Sequence, residues 1–242
     1  MTKSQDTASP FLTSAQPDDA GVALLLVNLG TPTAPEPGPV RAFLREFLSD
    51  RRVIEMSPLL WKPILEGIIL RVRPREVAGK YRSIWMDEGS PLMHYTREQA
   101  RLLGERLPGA RVEVAMRYGQ PSIGSVLDRL YAEGVRRVAI LPAYPQYAAS
   151  TVATINDAVA RWIGRNRDGF ELRLHRSFPA ARAYIEALAS ALERHWERVG
   201  RPNFLTGDRV VVSFHSIPVA MDEAGDPYRA ECRHTVAALE SR

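Results

Sequence analysis

The chain has 242 residues, 45% of them apolar, enough for one full α/β core and part of a second at roughly 100 to 200 residues per domain. Its 32 basic and 28 acidic residues leave a formal net charge of +4, with both signs mixed along the chain, so no basic arm or stripe points to nucleic acid. The single cysteine, Cys232, excludes an internal disulfide and makes a reducing, cytoplasmic compartment the natural expectation.

Residues 1–21 are polar, carry no apolar core of signal-peptide length and read as a flexible amino-terminal tail. VALLLVN at 22–28 is a continuous apolar strand closed by Gly30 and Pro32, and Val40 to Leu48 follows as a helix with Phe43, Leu44, Phe47 and Leu48 on one side. The apolar region from Met56 to Val72 is broken by Pro58, Lys62, Pro63, Glu66 and Arg71, which unsuits it to a membrane span of about 20 residues. Thr96 to Leu107 predicts a helix stopped by Pro108 and Gly109, and RVEVAMR at 111–117 returns to strand. Helix at Ser122 to Glu133, strand at Arg136 to Leu141, helix at Ser150 to Arg165 and strand at Glu171 to His175 continue the alternation. Strands separated by helices predict an α/β fold with a doubly wound, mostly parallel sheet, whose strands need both faces covered.

A long helix spans Ala180 to Val199, and Arg201 to Asp208 connects it to a new unit opening on an apolar strand at 209–214. The next helix starts cleanly, with Asp226 as cap and Pro227 at the first helical position. The expected organisation is thus a first domain at 22–178, a helix and connection at 179–204, and the start of a second, incomplete domain at 205–242.

NLGTP at 28–32 has one glycine and no lysine in phosphate-loop spacing, so nucleotide use is unsupported and a tight turn accounts for Gly30 and Pro32. The strand ends carry other chemistry. Asn28 and Leu29 end one strand, Arg117 and Tyr118 another, Tyr144 and Tyr147 follow a third, and His215 in SFHSIP closes the apolar run Val210 to Val212. Open α/β sheets bind ligands at such carboxyl ends. Rings, a cation and a proton-carrying imidazole at one edge would suit a large flat substrate bearing carboxylates.

VNLGTP, FLREFLSDRRV, KYRSIW with GSPL, AMRYGQP, LPAYPQYAAST, SFHSIP and GDPY, in that order, resemble the ferrochelatase family from about residue 22 to the last residue. The resemblance implies insertion of ferrous iron into a porphyrin, with protoporphyrin IX as the expected macrocycle, and two similar doubly wound domains flanking the macrocycle. By it, His215 matches the active-site histidine, assigned to pyrrole proton removal or to the metal. Arg117 and Tyr118 match pocket residues and Leu29 a position on the ring face, while Asn28, Tyr144, Gln146 and Tyr147 are further pocket positions. Asp226 and Tyr228 fall at a helix start beside the site and are assigned to structure.

An imidazole titrating near neutrality accepts a proton or holds a divalent ion through one ring nitrogen, and the sequence leaves both roles open. The alternatives are a noncatalytic tetrapyrrole or metal-binding module of the same fold, or a chelatase for another metal. Two departures from the family stand out. Ala149 occupies the position of a cluster cysteine found in some members, and with one cysteine the chain builds no iron–sulfur cluster, so ferrous iron is expected as substrate and no tightly bound cofactor. Family members also continue past the position of Arg242, so the chain is expected to lack the carboxyl-terminal part and to be inactive alone. Residues 56–75, an apolar run ending in Arg71, Arg73 and Arg75, are similar to the family's lip over the cleft and predict peripheral contact with the inner membrane.

Overall fold

A computed structural model describes residues 21–242. The expected tail, apart from Gly21, lies outside the described residues.

Four parallel strands form the sheet, β1 (Val22–Gly30), β2 (Ala110–Tyr118), β3 (Arg137–Pro142) and β4 (Glu171–Leu174), in the order β2-β1-β3-β4. The unbroken apolar run of β1 is explained by its central place: Val22 to Val27 are all buried, because helices cover both faces. The register sets Asn28 opposite Met116 and Gly30 opposite Tyr118, bringing the carboxyl ends of β1 and β2 level. Gly30 is obligatory there. Its φ is 108°, and a Cβ would sit 1.8 Å from the Tyr118 carbonyl oxygen.

The helices of this part are α1 (Pro37–Leu48), α2 (Pro58–Ile64), α3 (Leu70–Ile84), α4 (Pro91–Arg106), α5 (Ile123–Ala132) and α6 (Thr154–Ile163). α4 begins earlier than the apolar pattern suggests, since Ser90 leads into Pro91 at the first turn, where a missing N–H costs nothing. A π-helical turn at Leu65–Ile69 joins α2 to α3, two residues beyond Pro63, whose ring cannot donate to the α-helical ladder. A second π-helical turn, Ala149–Ala153, precedes α6.

Two compact units emerge. The first holds the described residues up to Ala143 together with Ala153–His175, and contains the sheet; the second holds Tyr144–Val152 and Arg176–Arg242. This division sends the PQYAAS segment with the carboxyl-terminal helices, whereas the pattern of elements alone kept 22–178 together. Within the second unit lie α7 (Arg182–Val199), α8 (Val219–Glu223) and α9 (Tyr228–Glu240).

One expected element is corrected. Residues 209–214 do not form a strand, and His215 therefore does not sit at a strand end: the segment has no regular structure and Val211 is 86% exposed. Apolar composition alone does not make a strand. Backbone donors and acceptors need a neighbouring ladder, and among the described residues every paired strand belongs to the first unit.

Candidate active site

In the first unit the carboxyl ends of β1 and β2 carry four of the expected residues. Asn28 is pinned on both sides, its amide donating to Thr96 Oγ1 at 2.9 Å and its Oδ1 accepting from the Leu29 N–H at 2.8 Å. Leu29 is half-buried. Arg117, only 8% exposed, is ion-paired with Asp50, and the same carboxylate accepts from the Tyr118 hydroxyl at 3.0 Å. The Arg117 guanidinium lies 4.3 Å from the Tyr118 ring centroid, and Phe47 packs edge-on to that ring at 5.1 Å. Burial pushes the Tyr118 hydroxyl well above the ordinary phenol range, the Arg117 charge opposing and the Asp50 charge adding to the rise. Tyr118 is therefore a neutral donor, and part of the donor fork of Arg117 is already occupied by the protein.

In the second unit the loop after β3 is tied to α9. Glu231, 5% exposed, accepts from the Tyr147 backbone N–H at 2.7 Å, from Ser177 Oγ at 3.2 Å and from Arg176. Arg176 also stands 4.7 Å from the Tyr147 ring centroid. Gln146 donates to Thr235 Oγ1 at 2.8 Å, and Thr235 donates to the Pro179 carbonyl at 2.7 Å. Asp226 spans the start of α9, accepting from the Tyr228 N–H at 3.0 Å and from the Ala149 N–H at 2.7 Å. Helix assignment starts α9 one residue later than expected, yet Asp226 caps it through its side chain. Tyr144 is half-buried on the same loop.

His215 is exposed and lines a cavity of about 420 Å³ with Phe214, Ile217, Tyr228 and Cys232. The His215 main chain hydrogen-bonds the Tyr228 hydroxyl, which is pushed up to about 12, first by burial and then by the neighbouring Cys232. Burial likewise raises the Cys232 thiol, against a hydrogen bond from Tyr228. Among the described residues no group of three or more His, Cys, Asp or Glu side chains is placed to hold a metal ion.

Each unit thus assembles its own share of the expected residues: Asn28, Leu29, Arg117 and Tyr118 at one sheet edge, and Gln146, Tyr147, His215, Asp226 and Tyr228 around α9, with Tyr144 on the loop after β3. Sequence reasoning missed Asp50, Glu231 and Thr235. Asp50 lies inside the quoted FLSDRRV stretch, but nothing in its spacing shows that Arg117 claims it. Glu231 reads as one solvated acid on an amphipathic helix.

A ferrochelatase family profile matches residues 21–242. The ferrochelatase of Methylibium petroleiphilum is 48% identical over 224 residues, covering 91% of this chain and 60% of the relative. Ferrochelatase 1 of Shewanella oneidensis is 47% identical over 221 residues, 89% of this chain and 65% of its own, and the ferrochelatase of an Azoarcus strain is 48% identical over 223 residues, 91% and 60%. The chain spans 60% to 65% of the length of these curated relatives. With a profile match that runs through both units and nearly half of all positions identical to these relatives, the chain belongs to the ferrochelatase family.

Proposed function

We propose that a protein carrying this chain inserts ferrous iron into a porphyrin to form haem, with protoporphyrin as the macrocycle. The observation that carries the reading is the family match over residues 21–242, which takes in every stretch that holds a candidate site residue. The strand order β2-β1-β3-β4 reverses direction between β1 and β3, as in a doubly wound sheet, and ligands of such sheets bind beyond that reversal. We read the sheet unit as the first of two chelatase-like domains and the 205–242 stretch as the opening of the second.

Metal insertion requires loss of two pyrrole protons and bending of the macrocycle so that its nitrogen lone pairs meet the metal. His215 is assigned to the proton or the metal, one ring nitrogen serving either purpose. Leu29 and the tyrosines at 144 and 147 are assigned to apolar contact with the ring, Asn28 and Gln146 to its polar edge, and Arg117 to a substrate carboxylate, with Tyr118, 0% exposed, backing Arg117 and Asp50 from behind the wall. A wall fixed by hydrogen bonds on both sides, like that of Asn28, favours one ring shape over another, which is catalysis by differential binding. His215 is held differently, on an exposed segment without ladder partners, so the chain alone is expected to bind porphyrin without turning it over.

The 56–75 region is assigned to peripheral contact with the cytoplasmic face of a membrane. Leu59 is 87% exposed, Leu60, Ile68 and Val72 are exposed too, and Arg71, Arg73 and Arg75 lie beside them. Trp61 does not share this role, because its indole N–H donates to the Leu48 carbonyl at 2.7 Å. No described helix is long and apolar enough to cross a membrane.

The test is a fluorescence titration of the purified chain with protoporphyrin, followed by anaerobic addition of ferrous iron. Saturable binding, with insertion at least about a hundredfold slower than in the Shewanella relative, is expected if an unsupported His215 loses general-base catalysis. Absence of porphyrin binding would remove the reading.

A further inference from the structure

Leu29, next to last in β1, stands outside both ladders of that strand. The register with β2 passes from Asn28–Met116 to Gly30–Tyr118, and that with β3 stops at Val27–Pro142, so among the described residues Leu29 has no register partner. Its N–H is taken instead by the preceding side chain, donating to Asn28 Oδ1 at 2.8 Å. A half-buried leucine at the end of a central strand is thereby held by one side-chain amide where the sheet no longer holds it.

The orientation of that amide is set from α4. Thr96, 1% exposed, donates its hydroxyl proton to the Leu92 carbonyl one turn back, at 2.6 Å. With its one proton committed there, the hydroxyl has only lone pairs to offer, and it accepts from Asn28 Nδ2 at 2.9 Å. An amide turned over would set Oδ1 against those lone pairs and its NH₂ group against the Leu29 N–H, losing both bonds. The Leu92 carbonyl therefore decides, through Thr96, which end of Asn28 meets Leu29. Packing alone does not ask for a threonine. Thr96 and Ala100 are the residues that α4 buries, and valine, with the same branched shape and no back-bond to compete with the helix, would fill an apolar contact there equally well.

We infer that Thr96 is a positioning residue for the macrocycle-binding wall: its hydroxyl orients Asn28, and Asn28 holds the Leu29 backbone so that the leucine side chain meets the ring in one place. The inference rests on the proposed placement of Leu29 on the ring face, and it adds a residue 68 positions from Asn28 that is buried behind the wall. A wall fixed in this way needs no ordering when the macrocycle arrives, which spares part of the cost of binding.

Two substitutions separate the hydroxyl from the methyl group. Thr96→Val keeps the shape and removes the hydroxyl, whereas Thr96→Ser keeps the hydroxyl and removes the methyl. Both are made in the 242-residue chain, and amide exchange of Leu29 is measured against Leu25 and Leu26, beside fluorescence titration with protoporphyrin. Thr96→Val should speed Leu29 exchange roughly three- to tenfold, as for one neutral hydrogen bond lost, and weaken protoporphyrin binding about threefold or more. Thr96→Ser should stay within about twofold of the parent in both, because the hydrogen-bond relay is kept. The reverse order, with Thr96→Ser impaired and Thr96→Val like the parent, would mark a packing role and overturn the inference. Unchanged Leu29 exchange or unchanged protoporphyrin affinity in the folded Thr96→Val variant would overturn it too. A parent chain that binds no protoporphyrin would remove the proposed function and the role of Thr96 with it; parent binding matched by Thr96→Val would remove the role of Thr96 alone.

Discussion

Replacing Glu231 by glutamine should loosen the PQYAAS loop from α9 without changing side-chain volume. Three donors converge on this carboxylate, which is 5% exposed. The Tyr147 N–H at 2.7 Å is a charge-assisted bond in a buried place, worth about 1.5 to 3 kcal/mol. Arg176 is 57% exposed on its side chain, so solvent screening holds its ion pair to about 1 kcal/mol or less. Glutamine keeps one acceptor and turns an NH₂ group toward the remaining donors, so the expected cost is about 2 to 4 kcal/mol. Native-state hydrogen exchange reads this locally, where a single global unfolding energy is ill suited to a chain of two units. The Tyr147 amide should exchange roughly 30 to 700 times faster, at about 1.4 kcal/mol per factor of ten, with the Leu25 and Leu26 amides of β1 as internal references. Acceleration below about threefold would refute the claim that Glu231 holds the loop.

Asp50→Asn keeps an acceptor for Tyr118 but leaves the buried Arg117 without its counter-charge, and should destabilise the sheet unit by about 3 kcal/mol in urea unfolding followed by circular dichroism; a loss under about 1 kcal/mol would contradict the pairing. Cys232 should alkylate with a pH midpoint above that of a free thiol, because burial disfavours its thiolate. The sign for stability follows: a raised acid pKa favours the neutral form, so its contribution is full below the ordinary thiol range and is lost as pH rises toward the folded value, and a midpoint at or below that range would be wrong for this environment. Leu59→Ser/Leu60→Ser should reduce flotation with anionic vesicles severalfold while leaving the fold intact, since both side chains are exposed; unchanged flotation, or none in the parent chain, would end the membrane assignment.

Much of the sheet was legible because burial on both faces writes itself into composition. β1 needs an unbroken apolar run, and the intervening helices announce themselves by periodicity and by proline and glycine at their ends. Boundaries moved where caps outweigh pattern, as at Pro91. The 209–214 stretch misled for the opposite reason: its valines state a preference, whereas a strand also needs a neighbour, and the sequence of one segment does not record whether that neighbour is there. In the site, the residue types were readable but not their engagements. Arg117 looks available until Asp50, 67 positions away, is found on it, and Asn28 looks like a ligand contact until Thr96 is found 68 positions on. Pairings at such separations depend on how the end of α1 packs against β2 and α4 against β1, which no local spacing encodes.

The most direct test of the account places this chain in a working frame. The 221 aligned residues of Shewanella oneidensis ferrochelatase 1 are exchanged for those of this chain, and anaerobic insertion of ferrous iron into protoporphyrin is followed by absorbance, with and without His215→Ala. The account predicts that the chimera inserts iron, and that His215→Ala lowers the rate by about two to four decades while porphyrin affinity changes little. A folded, porphyrin-binding chimera that inserts no iron, or a His215→Ala form within about threefold of its parent, would contradict it.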